Sequence, residues 1–125
     1  MVAIKYYKKK ELTFEHLEWA LMEHKLIKNI DHPNILQCLG YFEDTDYVCI
    51  VTELMQSSIS DYLCELTELL SEKEICKIFY KMTQAVYHCH ENNIMHRDVK
   101  LDNFLINKVG PSEIDVKLAD FGLAC

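Results

Sequence analysis

A carboxylate, an ammonium and a carboxamide stand at Asp98, Lys100 and Asn103, within the stretch Met95-His96-Arg97-Asp98-Val99-Lys100-Leu101-Asp102-Asn103. Offsets of 0, +2 and +5 suit a loop better than one helix face, where partners lie three or four apart. Asp98 can accept a proton from a hydroxyl. Lys100 can neutralise charge on a phosphoryl group in transfer. Asn103 can offer its carbonyl oxygen to a magnesium ion. The same residues would also serve as a polar surface loop between a helix and a strand, so the flanking elements have to decide.

Those elements read clearly. Met1–Tyr7 is predicted to be a strand, with β-branched and aromatic residues alternating and Lys5 at its centre. Lys8-Lys9-Lys10 reads as a solvated turn. Thr13–Ile30 reads as a helix with Thr13 as its cap. Ala20, Glu23, Ile27 and Ile30 share one face of it, which places Glu23 on an apolar stripe. A carboxylate there needs a partner, and Lys5 is the candidate; a rim glutamate paired with Lys28 is the alternative. Ile35–Phe42 and Tyr47–Glu53 read as a hairpin around Glu43-Asp44-Thr45-Asp46. A short helix is expected within Ile59–Leu70.

Ser71-Glu72-Lys73-Glu74 has the form of a capping box. It precedes a long helix in which Ile75, Ile78, Phe79, Met82, Ala85, Val86 and Cys89 keep the helical period. That helix is expected to be buried, its methionine and aromatic residues being core. Asn92-Asn93 ends it, since asparagine tolerates the left-handed conformation. Phe104-Leu105-Ile106 and Val116-Lys117-Leu118 read as short strands joined by a turn containing Gly110-Pro111. Asp120-Phe121-Gly122 follows, 22 positions beyond Asp98, a separation that lets two strands return the chain to the loop.

Composition narrows the classes. The 125 residues suffice for about one modest core, and the net charge of −7 argues against a general binder of nucleic acid or anionic membrane. No apolar run has the length of a membrane span, and lysines interrupt any leader-like start. The six cysteines are scattered without a Cys-x-x-Cys pair and read as reduced thiols, which points to cytoplasm or nucleus. His88-Cys89-His90 is not expected to hold a metal, because helical neighbours one and two apart point in different directions.

Taken together, His96-Arg97-Asp98-x-Lys100-x-x-Asn103, Val2-Ala3-Ile4-Lys5, Glu23 with the following His32-Pro33-Asn34-Ile35 turn, and Asp120-Phe121-Gly122 resemble, in order and spacing, the motifs of eukaryotic protein kinases. Any one motif is weak; four in order are specific. The resemblance implies an α+β, two-lobed, protein-kinase-like fold present in part: small-lobe strands and helix over 1–52, a hinge at 53–58, and the start of a helical large lobe over 59–125. It implies transfer of the γ-phosphoryl of ATP to serine or threonine hydroxyls of a protein substrate, lysine two after the aspartate being the serine/threonine type. Asp98 and Lys100 would be catalytic. Asn103 and Asp120 would hold Mg2+. Lys5, fixed by Glu23, would position the α- and β-phosphates. Ala3 and Leu105 would sandwich the adenine, with the backbone of Glu53 and Met55 at its edge and Ser58 or Asp61 at the ribose. Arg97 would meet a phosphate on an activation loop. Lys117-Leu118-Ala119-Asp120 is loosely similar to the calcium/calmodulin-dependent group. The family's glycine-rich loop and later large-lobe motifs have no counterpart among these residues, so a fragment with little activity of its own is expected. A non-catalytic module that binds nucleotide or a protein is the competing reading; the regulatory partner is not legible.

Overall fold

Strand β1 (Val2–Lys8) pairs antiparallel with β3 (Tyr47–Glu53), and β3 pairs with β2 (Cys38–Glu43), giving a three-stranded sheet in the order β1-β3-β2. The computed structural model describes residues 1–110 and 113–125. Lys5 faces Ile50 across the ladder and Ala3 faces Thr52. The acidic turn between β2 and β3 is closed by Asp44, whose carboxylate accepts the backbone N–H groups of Asp46 and Tyr47. Lys8 and Lys10 are exposed, as expected of a solvated turn, and Lys9 alone is partly covered. Residues Lys9–Glu11 form a 3-10 turn, and Lys9 donates to Glu43 at 2.8 Å and to the Asp44 carbonyl.

Helix α1 (Phe14–Lys28) packs against this sheet at β2. The Thr13 hydroxyl accepts the His16 N–H, so the cap falls where the sequence placed it, while the helix ends at Lys28, two residues before Ile30, with Asn29 as its C-cap. The strand expected to begin at Ile35 begins at Cys38 instead. Ile35 bridges to Leu118 in parallel, with Leu36 N–H donating to the Leu118 carbonyl and Leu118 N–H to the Asn34 carbonyl. Those two apolar residues belong to the lower sheet because its inner edge offers the backbone partners.

That second sheet has the order β4-β5-β6, from β4 (Ser57–Ser58), β5 (Phe104–Lys108) and β6 (Ile114–Leu118). The turn read at Gly110-Pro111 extends into positions 111–112, which lie outside the described residues. Between β4 and β5 run α2 (Ile59–Glu65), capped by Ser58, and α3 (Glu72–Glu91), whose capping box between Ser71 and Glu74 is complete. Asn92 caps α3, and Asn93 takes the left-handed conformation at φ 57°. One continuous core joins Ile27 of α1 and Ile50 of β3 to Phe104, Ile106, Val116 and Leu118 of the lower sheet and Ile78, Ala85 and Cys89 of α3.

Helix α3 is not buried all along its apolar stripe. Ile78, Ala85 and Cys89 are buried, but Ile75 is 53% exposed and Phe79 64%. Periodicity marks which residues share a face; it does not say whether an element covers that face. Ile75, Phe79 and Met82 line a groove of about 700 Å3 with Leu63, Leu66 and Leu70 from the α2 side. Among the described residues no helix is long and apolar enough to cross a membrane. Exposed apolar area of this kind promotes association. The double substitution Ile75→Lys, Phe79→Glu is therefore expected to lower apolar-dye fluorescence and self-association, with stability unchanged within about 0.5 kcal/mol. Undiminished dye binding at unchanged helix content would place the sticky surface elsewhere.

Candidate functional site

The sheet and α1 bring Lys5 and Glu23 together across 18 residues of sequence. Lys5 Nζ lies 3.0 Å from Glu23 Oε1 and 2.9 Å from Oε2. Glu23 is buried and paired inward, so the rim alternative is set aside. Its Oε2 also accepts the Tyr7 hydroxyl at 2.9 Å. Tyr7 is a partner that the sequence reading missed; the only signal was its place two residues beyond Lys5, on the same strand face.

Lys5 makes a third short contact, 3.0 Å to Asp120 Oδ1. Burial pulls the Lys5 ammonium down, but the Glu23 charge and the hydrogen bonds it donates to Glu23 and Asp120 outweigh it, and the net shift is upward. Asp120 itself sits at φ 60°, a left-handed conformation uncommon outside glycine and asparagine. That turn sends its carboxylate towards Lys5 while Phe121, 2% exposed, enters the core edge-on to His96 at 4.8 Å between ring centroids.

His96 holds the two halves of the site together. Its ring is buried; Nε2 meets the Ala119 carbonyl at 2.9 Å, and Nδ1 accepts the Asp98 N–H at 3.3 Å. These two bonds assign the proton to Nε2. Ala119 N–H donates in turn to the Asn103 carbonyl at 2.8 Å. The residue before Asp120 is thus tied to both ends of the 96–103 loop.

Within the loop Asp98 Oδ2 accepts Lys100 Nζ and Asn103 Nδ2, each at 2.8 Å. Lys100, followed by the Asn103 bond, holds the Asp98 carboxyl below the usual carboxylate range, and Asp98 in turn raises Lys100. Asn103 Nδ2 also donates to the Asp98 carbonyl, so both amide protons turn inward and fix the side chain. No hydrogen bond to Asn103 Oδ1 occurs among the described residues, and no buried side-chain oxygen there lacks a partner, so that oxygen remains open to a ligand. Arg97, at φ 63°, donates through Nε to the Leu123 carbonyl.

A cavity of about 390 Å3 opens beside the ion pair, lined by Ala3, Lys5, Glu23, Thr52, Asp120 and Phe121 among others. Glu53, Met55 and Leu105 do not line it. The Glu53 carboxylate is held by Gln37 N–H and Lys117 Nζ, both at 2.8 Å, and Met55 is buried with its sulfur against Asn107 Nδ2. Leu105 lies across the ladder from Ser58, whose hydroxyl donates to Asp61 at 2.6 Å. The structure therefore gathers Ala3, Lys5, Glu23 and Asp120 at one cavity and Asp98, Lys100 and Asn103 in one adjoining loop. It leaves Glu53, Met55 and Leu105 on the strands and connection beside them.

Lys5 sits above its ordinary value of 10.5, so the pair stabilises fully below that pH and loses its effect as pH rises through the folded value. Because the Lys5 side chain is 42% exposed, the discounted contribution is about 1–2 kcal/mol. Glu23→Gln is expected to lose that amount in urea unfolding between pH 6 and 9, with the gap to wild type closing above about pH 10.5. A gap that is absent, or that widens at high pH, would contradict the pairing.

Comparison with known proteins shows that the chain belongs to the protein kinase family. The family model described as protein kinase domain matches residues 1–125. The chain is 39% identical over 121 residues to serine/threonine-protein kinase SIK1 of Rattus norvegicus, covering 97% of this chain and 15% of that protein. It is 37% identical over 126 residues to probable serine/threonine-protein kinase MARK-C of Dictyostelium discoideum, covering 98% and 16%. The solved yeast RNA Pol II CTD kinase CTDK-1 complex superposes with a TM-score of 0.82 at 27% identity, over 99% of this chain and 39% of that one. The chain spans less than a fifth of the length of the curated relatives named here.

Proposed function

Because the chain belongs to the protein kinase family, we propose that it carries the catalytic loop and phosphate-binding residues of a serine/threonine kinase, which moves the γ-phosphoryl of ATP to a protein hydroxyl. The observation that carries this reading is the joint placement of two clusters. One is Lys5–Glu23–Asp120 on a cavity; the other is Asp98–Lys100–Asn103 in a loop bonded to the residue before Asp120.

In this reading Asp98 orients the acceptor hydroxyl and takes its proton. Its work is mainly alignment, and the proton leaves late, as suits a loose phosphoryl-transfer transition state. Lys100, already beside Asp98, turns to the transferring group and neutralises charge there. Lys5 grips the α- and β-phosphates while Glu23 keeps it from swinging into solvent. Ala3 would pack against the adenine from the cavity wall, with Leu105 and the backbone of Glu53 and Met55 on the neighbouring elements to complete its surroundings.

The residues also fit a divalent ion. Asn103 Oδ1 and the Asp120 carboxylate are hard oxygen donors. Few protein ligands, with phosphate and water completing the shell, is the habit of Mg2+. Bound there, it would supply charge neutralisation between the phosphates. The family and the reduced cysteines fit a cytoplasmic or nuclear protein.

The test is transfer of labelled phosphate from Mg-ATP to a serine/threonine protein substrate by the polypeptide that contains this chain. Asp98→Asn is expected to lower turnover at least about 10²-fold with nucleotide affinity retained, and chelation of Mg2+ to abolish transfer. Nucleotide binding without transfer in the wild type would favour the non-catalytic module; full turnover in Asp98→Asn would overturn the assignment of the base.

A further inference from the structure

Glu23 is a buried carboxylate, and what keeps it in place must survive the arrival of a ligand at Lys5. An ammonium has three N–H donors. Lys5 spends them on Glu23 Oε1, Glu23 Oε2 and Asp120 Oδ1. A phosphate oxygen reaching Nζ has to take over one of these, so the ion pair is weakest at the moment it is needed. The Tyr7 hydroxyl meets no such competition. It gives its single proton to Glu23 Oε2 at 2.9 Å, and its ring is half-buried, packed against the core and outside the lining of the cavity. The same ring lies 5.4 Å from Lys5 Nζ, so Tyr7 touches both members of the pair.

We propose that Tyr7 is a positioning residue, a fixed donor that holds Glu23, and through it α1 and Lys5, while Lys5 exchanges partners for phosphate. Burial above all keeps the phenol protonated, and hence a donor, well into the alkaline range; the Glu23 charge adds to this, while Lys5 opposes it. The phosphate part of the inference rests on the kinase reading, but the hold on Glu23 does not.

The experiment is competitive acetylation of the lysines in the full chain without nucleotide, read by mass spectrometry, with Lys8 as the internal reference. Tyr7→Phe keeps the ring and removes the donor. Lys5 labelling relative to Lys8 is expected to rise about fivefold, the ratio set by one typical hydrogen bond. Tyr7→Met, apolar and without a donor, should label like Tyr7→Phe if the phenylalanine variant folds poorly. Glu23→Ala should raise labelling further, and adding Tyr7→Phe to it should change nothing more. In the polypeptide that contains this chain, Tyr7→Phe should raise KM for Mg-ATP and leave KM for the protein substrate unchanged, whereas a loss of folded enzyme would lower apparent kcat alone. Equal Lys5 labelling in wild type and both Tyr7 variants would overturn the proposal, as would a Tyr7→Phe effect that persists in Glu23→Ala. Absence of phosphoryl transfer in the wild type would defeat the kinase reading alone, leaving the labelling ratio to decide the role of Tyr7.

Discussion

A carboxylate on the apolar face of a helix cannot stay charged without donors, and the arrangement around Glu23 follows from that constraint. Helix α1 lies over β1 at a distance where a lysine spans the gap, and the strand presents Lys5 and Tyr7 on one side because alternate residues share a face. Asp120 shares the same ammonium. The small sheet, the helix and the segment after β6 therefore meet at a single charged atom. Burial of Phe121 below it anchors the third member of the group in the apolar core.

The loop that carries Asp98 depends on a different economy, one of backbone groups. His96 is buried, yet both ring nitrogens are used, one on Ala119 and one on Asp98. Asn103 closes the loop on Asp98 with its amide protons and receives Ala119 through its own carbonyl. Removing either residue would leave several polar groups without partners in a low-dielectric setting, where the loss is greatest. Two left-handed residues, Arg97 and Asp120, flank this network, and non-glycine residues hold that conformation only where surrounding contacts require it.

How legible each feature was depended on the range of the interaction behind it. Caps are local, and Thr13 and Ser71 could be read from four residues each. The Lys5–Glu23 pair was legible because an apolar stripe makes an unpaired glutamate conspicuous. Tyr7 was not, since an aromatic residue in a strand is ordinary until the helix above it is in place. Ile35 and Leu36 look like any strand start; only the inner edge of β6 reveals that they pair with the other sheet. Ile75 and Phe79 have the period of buried residues, and what they lack is a covering element, which no pattern within the helix records. Glu53 was read for its backbone alone, and its side-chain contact to Lys117 joins positions 64 apart.

That last contact has a mechanical meaning. The Lys117 side chain is only 14% exposed, and its ammonium reaches from β6 to the end of β3, where Glu53 also takes the Gln37 N–H. The chain passes from the upper sheet to the lower one immediately after Glu53. A charged strut therefore stands beside the covalent crossing, and the two sheets share two attachments there in place of one. With the backbone bonds of Ile35 and Leu36 to Leu118, the strut makes the junction of the two sheets a broad one, and parting them there must also break an ion pair largely withdrawn from water.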